Sequence, residues 1–109
     1  MMATQRSGFG SVHPWKPTTK PIDLKHLGKL IEELGELQAA LARCIIQGIN
    51  EKEPTTGKLN RDWLEEEIAD TLANIELVIS HFTLNRHFIE GRSDVKMRRL
   101  KVWHDMLDE

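Results

Sequence analysis

Aromatic side chains are scarce in this 109-residue chain, which has three Trp, three Phe and no Tyr. Its core must therefore come mainly from Leu, Ile and Ala, the usual stock of helical proteins. A single cysteine, Cys44, excludes an internal disulfide. That usage fits a reducing compartment such as the cytoplasm. No apolar run is long enough to cross a bilayer, so no membrane partner is expected. Met1-Met2-Ala3-Thr4-Gln5-Arg6 has no hydrophobic stretch after its charge, so no secretory signal is expected either. Lys and Arg number 15 against 17 Asp and Glu, a net charge of −2. The basic excess typical of nucleic-acid binders is thus missing. Nor is there an internal repeat, a low-complexity segment or a Gly-rich phosphate loop of the P-loop kind.

The length suits one small domain. Residues 1 to 21 read as an irregular arm, because Gly8, Gly10, Pro14, Pro17 and Pro21 block regular structure. Its apolar anchors, Phe9 and Trp15, are expected to pack on the bundle or on a neighbouring subunit; a flap over a ligand is the alternative. Residues 22 to 109 form the helical domain. A first helix is predicted from Asp23 as N-cap to a stop at Gly48. Leu24, Leu27, Ile31, Leu34, Leu37, Leu41 and Ile45 recur at steps of three and four and predict its core stripe, with Leu34 central. A polar connection follows over residues 49 to 61, marked as loop by Pro54 and Gly57. A second helix is predicted from Asp62, which with Glu65 has capping-box spacing. Leu64, Ile68, Leu72, Ile75, Ile79 and Phe82 make its apolar stripe. The rest, from residue 85, is helical by composition; Asn85 suits a cap, and Gly91 and Ser93 leave one helix or two open.

What the chain does have is acid at helical spacing. Glu33 and Glu36 lie about 60° apart on the first helix, beside its apolar stripe, and Glu32 lies beyond Glu36. Gly35 between them removes bulk and would let a backbone or ligand approach. On the second helix Trp63, Glu67, Asp70, Asn74, Leu77 and His81 fall within about 80° of one another. A solvated face would carry Lys and Glu throughout, so this mixture predicts a stripe that lines something inside the assembly. If the two helices pack, four acids gather and repel one another unless a cation joins them. An all-oxygen donor set suits Mg²⁺ or Mn²⁺, and Mg²⁺ keeps open positions for water and substrate phosphates. Nucleotide phosphate chemistry is the function this pattern points to. The plainer reading of each acid alone is a solvated helix face.

In context, Glu32-Glu33-x-x-Glu36 followed by Glu67-x-x-Asp70 resembles the EExxE…ExxD signature of the MazG-like, all-α nucleoside triphosphate pyrophosphohydrolases. Leu30-Ile31-Glu32-Glu33-Leu34-Gly35-Glu36-Leu37 and Glu66-Glu67-Ile68-Ala69-Asp70-Thr71-Leu72 carry the resemblance, which spans roughly residues 24 to 104. Thirty residues separate the halves, at the long end for that family, with the extra length assigned to the loop over residues 50 to 58. The resemblance implies metal ligation by Glu33, Glu36, Glu67 and Asp70. It also implies hydrolysis of a (deoxy)nucleoside triphosphate to the monophosphate and pyrophosphate, in a homo-oligomer of dimers paired into tetramers. Oligomerisation would complete a four-helix bundle that so short a chain cannot close alone. A carboxylate spared from ligation, Glu32 or Glu36, could accept the water proton.

Asn74, one turn after Asp70, can donate to a phosphate or sugar oxygen. Lys96 and Arg99 are similar to a basic element that follows the second motif in that family, and are expected to meet the phosphate tail; an exposed basic face is the alternative. Trp63 is the first candidate to stack on a base, although core packing is the commoner fate of such a residue. His13, His26, His81, His87 and His104 show no metal-ligand spacing, and His81 alone shares the Glu67 stripe. Cys44 is expected to be buried and inert. Other readings stay open: phosphoribosyl-ATP hydrolysis on a similar fold, a nucleotide-binding regulator, and a non-catalytic helical oligomer with exposed acids.

Overall fold

Two long helices and a third make up the computed structural model, which describes residues 14 to 107 and has no regular strand among them. Phe9 and His13 lie outside the described residues. Helix α1 spans Pro21–Gln47. Proline sits at its start, where a missing N–H is harmless, and holds the preceding Lys20 extended. The N-cap is therefore Lys20, without a side-chain bond, rather than Asp23. Asp23 lies in the first turn and turns its carboxylate to His81 instead. The stop at Gly48 is as expected. Its φ of 105° is open to glycine, and a Cβ there would meet Glu51 Cγ at 2.8 Å.

The connection is tied rather than loose. Glu53 accepts from the backbone N–H groups of Thr55 and Thr56 and from the Thr56 hydroxyl. Those bonds hold its carboxyl below the usual range. Lys52 and Leu59 pair across the loop as an isolated antiparallel bridge. Helix α2 spans Asn60–Phe82 and starts two residues earlier than the Asp62 capping box predicts. The reason is tertiary. Asn60, 1% exposed, donates through Nδ2 to Gln47 Oε1 and to the Gly48 carbonyl, and so clamps the start of α2 to the end of α1.

Contacts between Gln47 and Asn60 at one end and Asp23 and His81 at the other make α1 and α2 an antiparallel hairpin. The seam takes only part of the predicted stripes: Ile79 is buried and Leu27, Leu37, Leu64, Ile75 and Phe82 are half-buried. Glu33 and Ala40 are buried, whereas Leu34, placed at the centre of the core stripe, is 47% exposed. Ile31, Leu41 and Ile45 also face out. On α2, Thr71, Val78 and Ile79 are buried and Ile68 and Leu72 exposed. One partner helix covers only one strip, and α1 carries more apolar surface than that strip can hold.

Thr83 ends α2 in the left-handed conformation, φ 51°, with its N–H turned back to the last turn. Asn85 Oδ1 then accepts from the Phe88 N–H and caps α3, as expected. Helix α3 spans Arg86–Leu107 unbroken through Gly91 and Ser93, and none of its residues is buried. The radius of gyration is 19.8 Å, against about 13 Å for a compact chain of this size. No helix among the described residues is long and apolar enough to cross a membrane.

Candidate functional site

The seam brings Glu33 from α1 together with Glu67 and Asp70 from α2. One carboxylate oxygen from each lies within 4.8 Å of the others. Glu33 is 5% exposed, Glu67 half-buried and Asp70 at the rim. The i, i+3 spacing puts Glu67 and Asp70 on one side of α2, and burial of Glu33 follows from its turn into the seam. Two of the oxygens, Glu33 Oε1 and Glu67 Oε1, are buried without a hydrogen-bond partner. Buried carboxylate oxygens are normally paired, because an unmatched acceptor costs about 1–3 kcal/mol and more when charged. A divalent cation would satisfy both, so these residues fit an oxygen-liganded metal.

Electrostatics agree. Desolvation raises the Glu67 pKa first, and the charges of Glu36, Asp70, Glu33 and Glu66 push it further the same way. Glu36 stands outside the three-carboxylate group and is exposed, yet it is near enough to act on Glu67. Glu32 faces solvent and binds Lys29 Nζ at 2.9 Å. Lys29 also reaches Glu33 Oε2 at 3.2 Å, and its pKa is raised by Glu32 and then Glu33. It is the one cation on the cluster among the described residues, and sequence reasoning missed it. Its placement three and four residues before two acids was the available signal.

The remaining candidates divide. Asn74 is half-buried on the same stripe, and its Nδ2 is engaged by the Asp70 carbonyl at 2.9 Å. Trp63 is half-buried too, but a side chain already covers it: the Arg43 guanidinium stands 4.3 Å from the ring centroid and Lys58 Nζ 5.5 Å. Lys96 and Arg99 lie on exposed α3, lining shallow grooves with Leu100 and Trp103. Within one chain they are not brought to the acids. A Cβ added at Gly35 would meet nothing within 4 Å beyond its own helix, so no close approach among the described residues explains that glycine. Trp15, 95% exposed, does not pack on its own bundle. Cys44 is only half-buried, with Sγ 3.9 Å from the Asn60 carbonyl.

His81 has a partner that its spacing did not announce. Its Nε2 lies 2.6 Å from Asp23 Oδ1, and the His26 ring stacks on it at 4.1 Å. This cluster ties the open end of the hairpin, far from the acids. Comparison with family models, curated proteins and solved structures finds no match.

Proposed function

We propose that the chain is a Mg²⁺-dependent nucleoside triphosphate pyrophosphohydrolase of the MazG-like kind, with Mn²⁺ as a substitute metal. The observation that carries this reading is the meeting of Glu33, Glu67 and Asp70, with two buried oxygens left without partners. Their positions in the Glu32-Glu33-x-x-Glu36 and Glu67-x-x-Asp70 pattern support it. Glu33, Glu67 and Asp70 would hold the ion, and Glu36 at the rim could add a ligand or remain unligated.

Bound there, Mg²⁺ would offset phosphate charge and acidify a coordinated water. The chain's own part is to hold the triphosphate over the seam and to take the water's proton. Water oxygen joins the α-phosphorus, the bond to the β-phosphate oxygen breaks, and pyrophosphate leaves. Glu36 is the better acceptor for that proton, since Glu32 is held by Lys29 whereas Glu36 has no hydrogen bond or ion pair among the described residues.

A homo-oligomer, a dimer of dimers, belongs to the same reading. Ile31, Ile45 and Ile46 are 69%, 86% and 80% exposed, more apolar surface than an isolated chain usually leaves in water. A second hairpin laid on these faces would complete a four-helix bundle, and would offer a route for α3 cations to reach the acids of a neighbour.

The test is a panel of NTPs and dNTPs with Mg²⁺, products separated by ion exchange. Monophosphate and pyrophosphate from one or a few substrates are expected. Diphosphate and orthophosphate would overturn the reaction type. No turnover and no Mg²⁺-dependent thermal stabilisation would leave a helical scaffold.

A further inference from the structure

Arg43 is a half-buried cation to which the hairpin gives no carboxylate partner. Several other basic side chains are matched: Lys29 with Glu32 and Glu33, Lys58 with Glu66, Arg61 with Asn50, Arg86 with Glu76. Arg43 is half-buried, and its Nε is buried with no hydrogen-bond partner. Its one contact of note is the face of Trp63, 4.3 Å below the guanidinium carbon. No carboxylate pairs with it among the described residues. A guanidinium held flat on an indole keeps its charge and its planar fork of donors, but cannot wander to find a partner.

Register places Trp63 in line with Asp70, and Arg43 in line with Glu36 at the rim of the cluster. Arg43 is seven residues after Glu36 on α1, and Trp63 seven before Asp70 on the antiparallel α2. Seven residues are two turns, so both lie within about 20° of the acid's direction and roughly 10 Å along the groove. Trp63 is also one turn, about 6 Å, from Glu67. A polyphosphate with one end at the Glu33–Glu67–Asp70 cluster would extend along the seam toward Arg43. The acids repel such a chain without help, and a fixed cation at its far end offsets that.

The geometry points to Arg43, seated on Trp63, as the anchor for the phosphates that are not at the metal, so that one protomer supplies both an ion site and a polyphosphate clamp. This deepens the proposed function and rests on the acid cluster being the nucleotide site. It gives the phosphate tail a partner within the same chain, where Lys96 and Arg99 do not reach.

The experiment measures binding of inorganic tripolyphosphate and of a nucleoside monophosphate by calorimetry, in Mg²⁺, to the unmodified protein and to Arg43→Gln and Arg43→Lys. Gln keeps much of the stem over the indole and removes the charge, and circular dichroism checks each fold. Tripolyphosphate affinity should fall roughly ten- to a hundredfold in Arg43→Gln. Arg43→Lys should recover part of it, and the monophosphate should be little changed. Equal losses for both ligands would make Arg43 a packing residue and overturn the inference. So would unchanged tripolyphosphate binding, or none by the unmodified protein. The two readings can fail separately. Tripolyphosphate binding that needs Arg43 in a protein that turns over no nucleotide keeps the clamp and removes the hydrolase. Turnover indifferent to Arg43→Gln, with tripolyphosphate affinity unmoved, does the reverse.

Discussion

The seam between α1 and α2 buries polar residues beside apolar ones, while the outer faces of the same helices leave large apolar residues uncovered. In the seam the buried residues include Glu33, Asn60 and Thr71 beside Ala40, Val78 and Ile79. On the outside stand Ile31, Ile45, Ile46 and Leu72. Helix α3 goes further, with Phe88, Met97, Val102 and Trp103 exposed and nothing buried. The hydrophobic driving force of this chain therefore lies mainly on surfaces that the hairpin does not cover. What the seam holds is a set of groups that are costly to bury alone: a carboxylate cluster, a clamped amide and a lone guanidinium.

The comparison breaks most sharply at the acids. Asp70→Asn or Glu67→Gln should cut turnover by more than the roughly 10–100-fold lost when only an outer-shell partner of a metal is removed. Either should also abolish the rise in Tm that Mg²⁺ gives the unmodified protein, read by thermal melts with and without EDTA. Retained activity at limiting Mg²⁺ would sink the proposed centre.

Next come the outer faces. Ile31→Asp with Ile45→Asp should turn an oligomer into a smaller species in sedimentation velocity, because charge at such positions is expensive to bury. An unchanged assembly would mean that these faces are not the interface.

Within the seam, Asn60→Ala removes two hydrogen bonds and strands Gln47 and the Gly48 carbonyl. A loss of about 2 kcal/mol in urea unfolding is expected. A change within error would assign the clamp no weight.

Acidity sharpens the same contrast. Glu67 has a raised pKa when folded, so its contribution to stability is complete below the unfolded carboxyl pKa, about 4.3, and is lost as pH rises through the higher folded value. Without Mg²⁺, Glu67→Gln should melt close to the unmodified protein in acid and above it at neutral pH. Added Mg²⁺ should reverse the neutral-pH order. A gap that stays constant with pH would mean that Glu67 does not titrate differently on folding.

The smallest effect belongs to the joint with α3. Thr83 is a β-branched residue in the left-handed region. Thr83→Gly should be neutral to about 1 kcal/mol stabilising, since relief of the side-chain clash competes with glycine's entropy. A clear destabilisation would show that the Thr83 side chain has a role beyond the turn.

Much of this was legible beforehand, for a physical reason. Helix periodicity and breakers are local, so α1 and α2 fall where Pro21, Gly48 and the polar loop put them, and an Asn85 cap is read directly. The Glu33, Glu67 and Asp70 spacings are equally local. Less legible was which way α1 turns. Its apolar stripe, centred on Leu34, looked like the core, and the seam chose Glu33 and Ala40. The apolar stripe records everything that helix must bury, whereas the seam records only what one neighbour touches. Arg43 on Trp63 and His26 on His81 escaped for a related reason. Each joins residues at least 20 positions apart with no spacing rule between them.

By itself the sequence determined the all-helical class, the element order, the turn chemistry at Gly48 and the turn-by-turn placement of acids on two helices. These depend on backbone preference and on a 3.6-residue period, and both act within a few residues. Only the tertiary structure decided that three of those acids meet, that Glu36 stays at the rim, that Lys29 joins them and that Asn60 sets the start of α2. Antiparallel packing fixes the rotation and register of one helix against the other, and no local preference contains either.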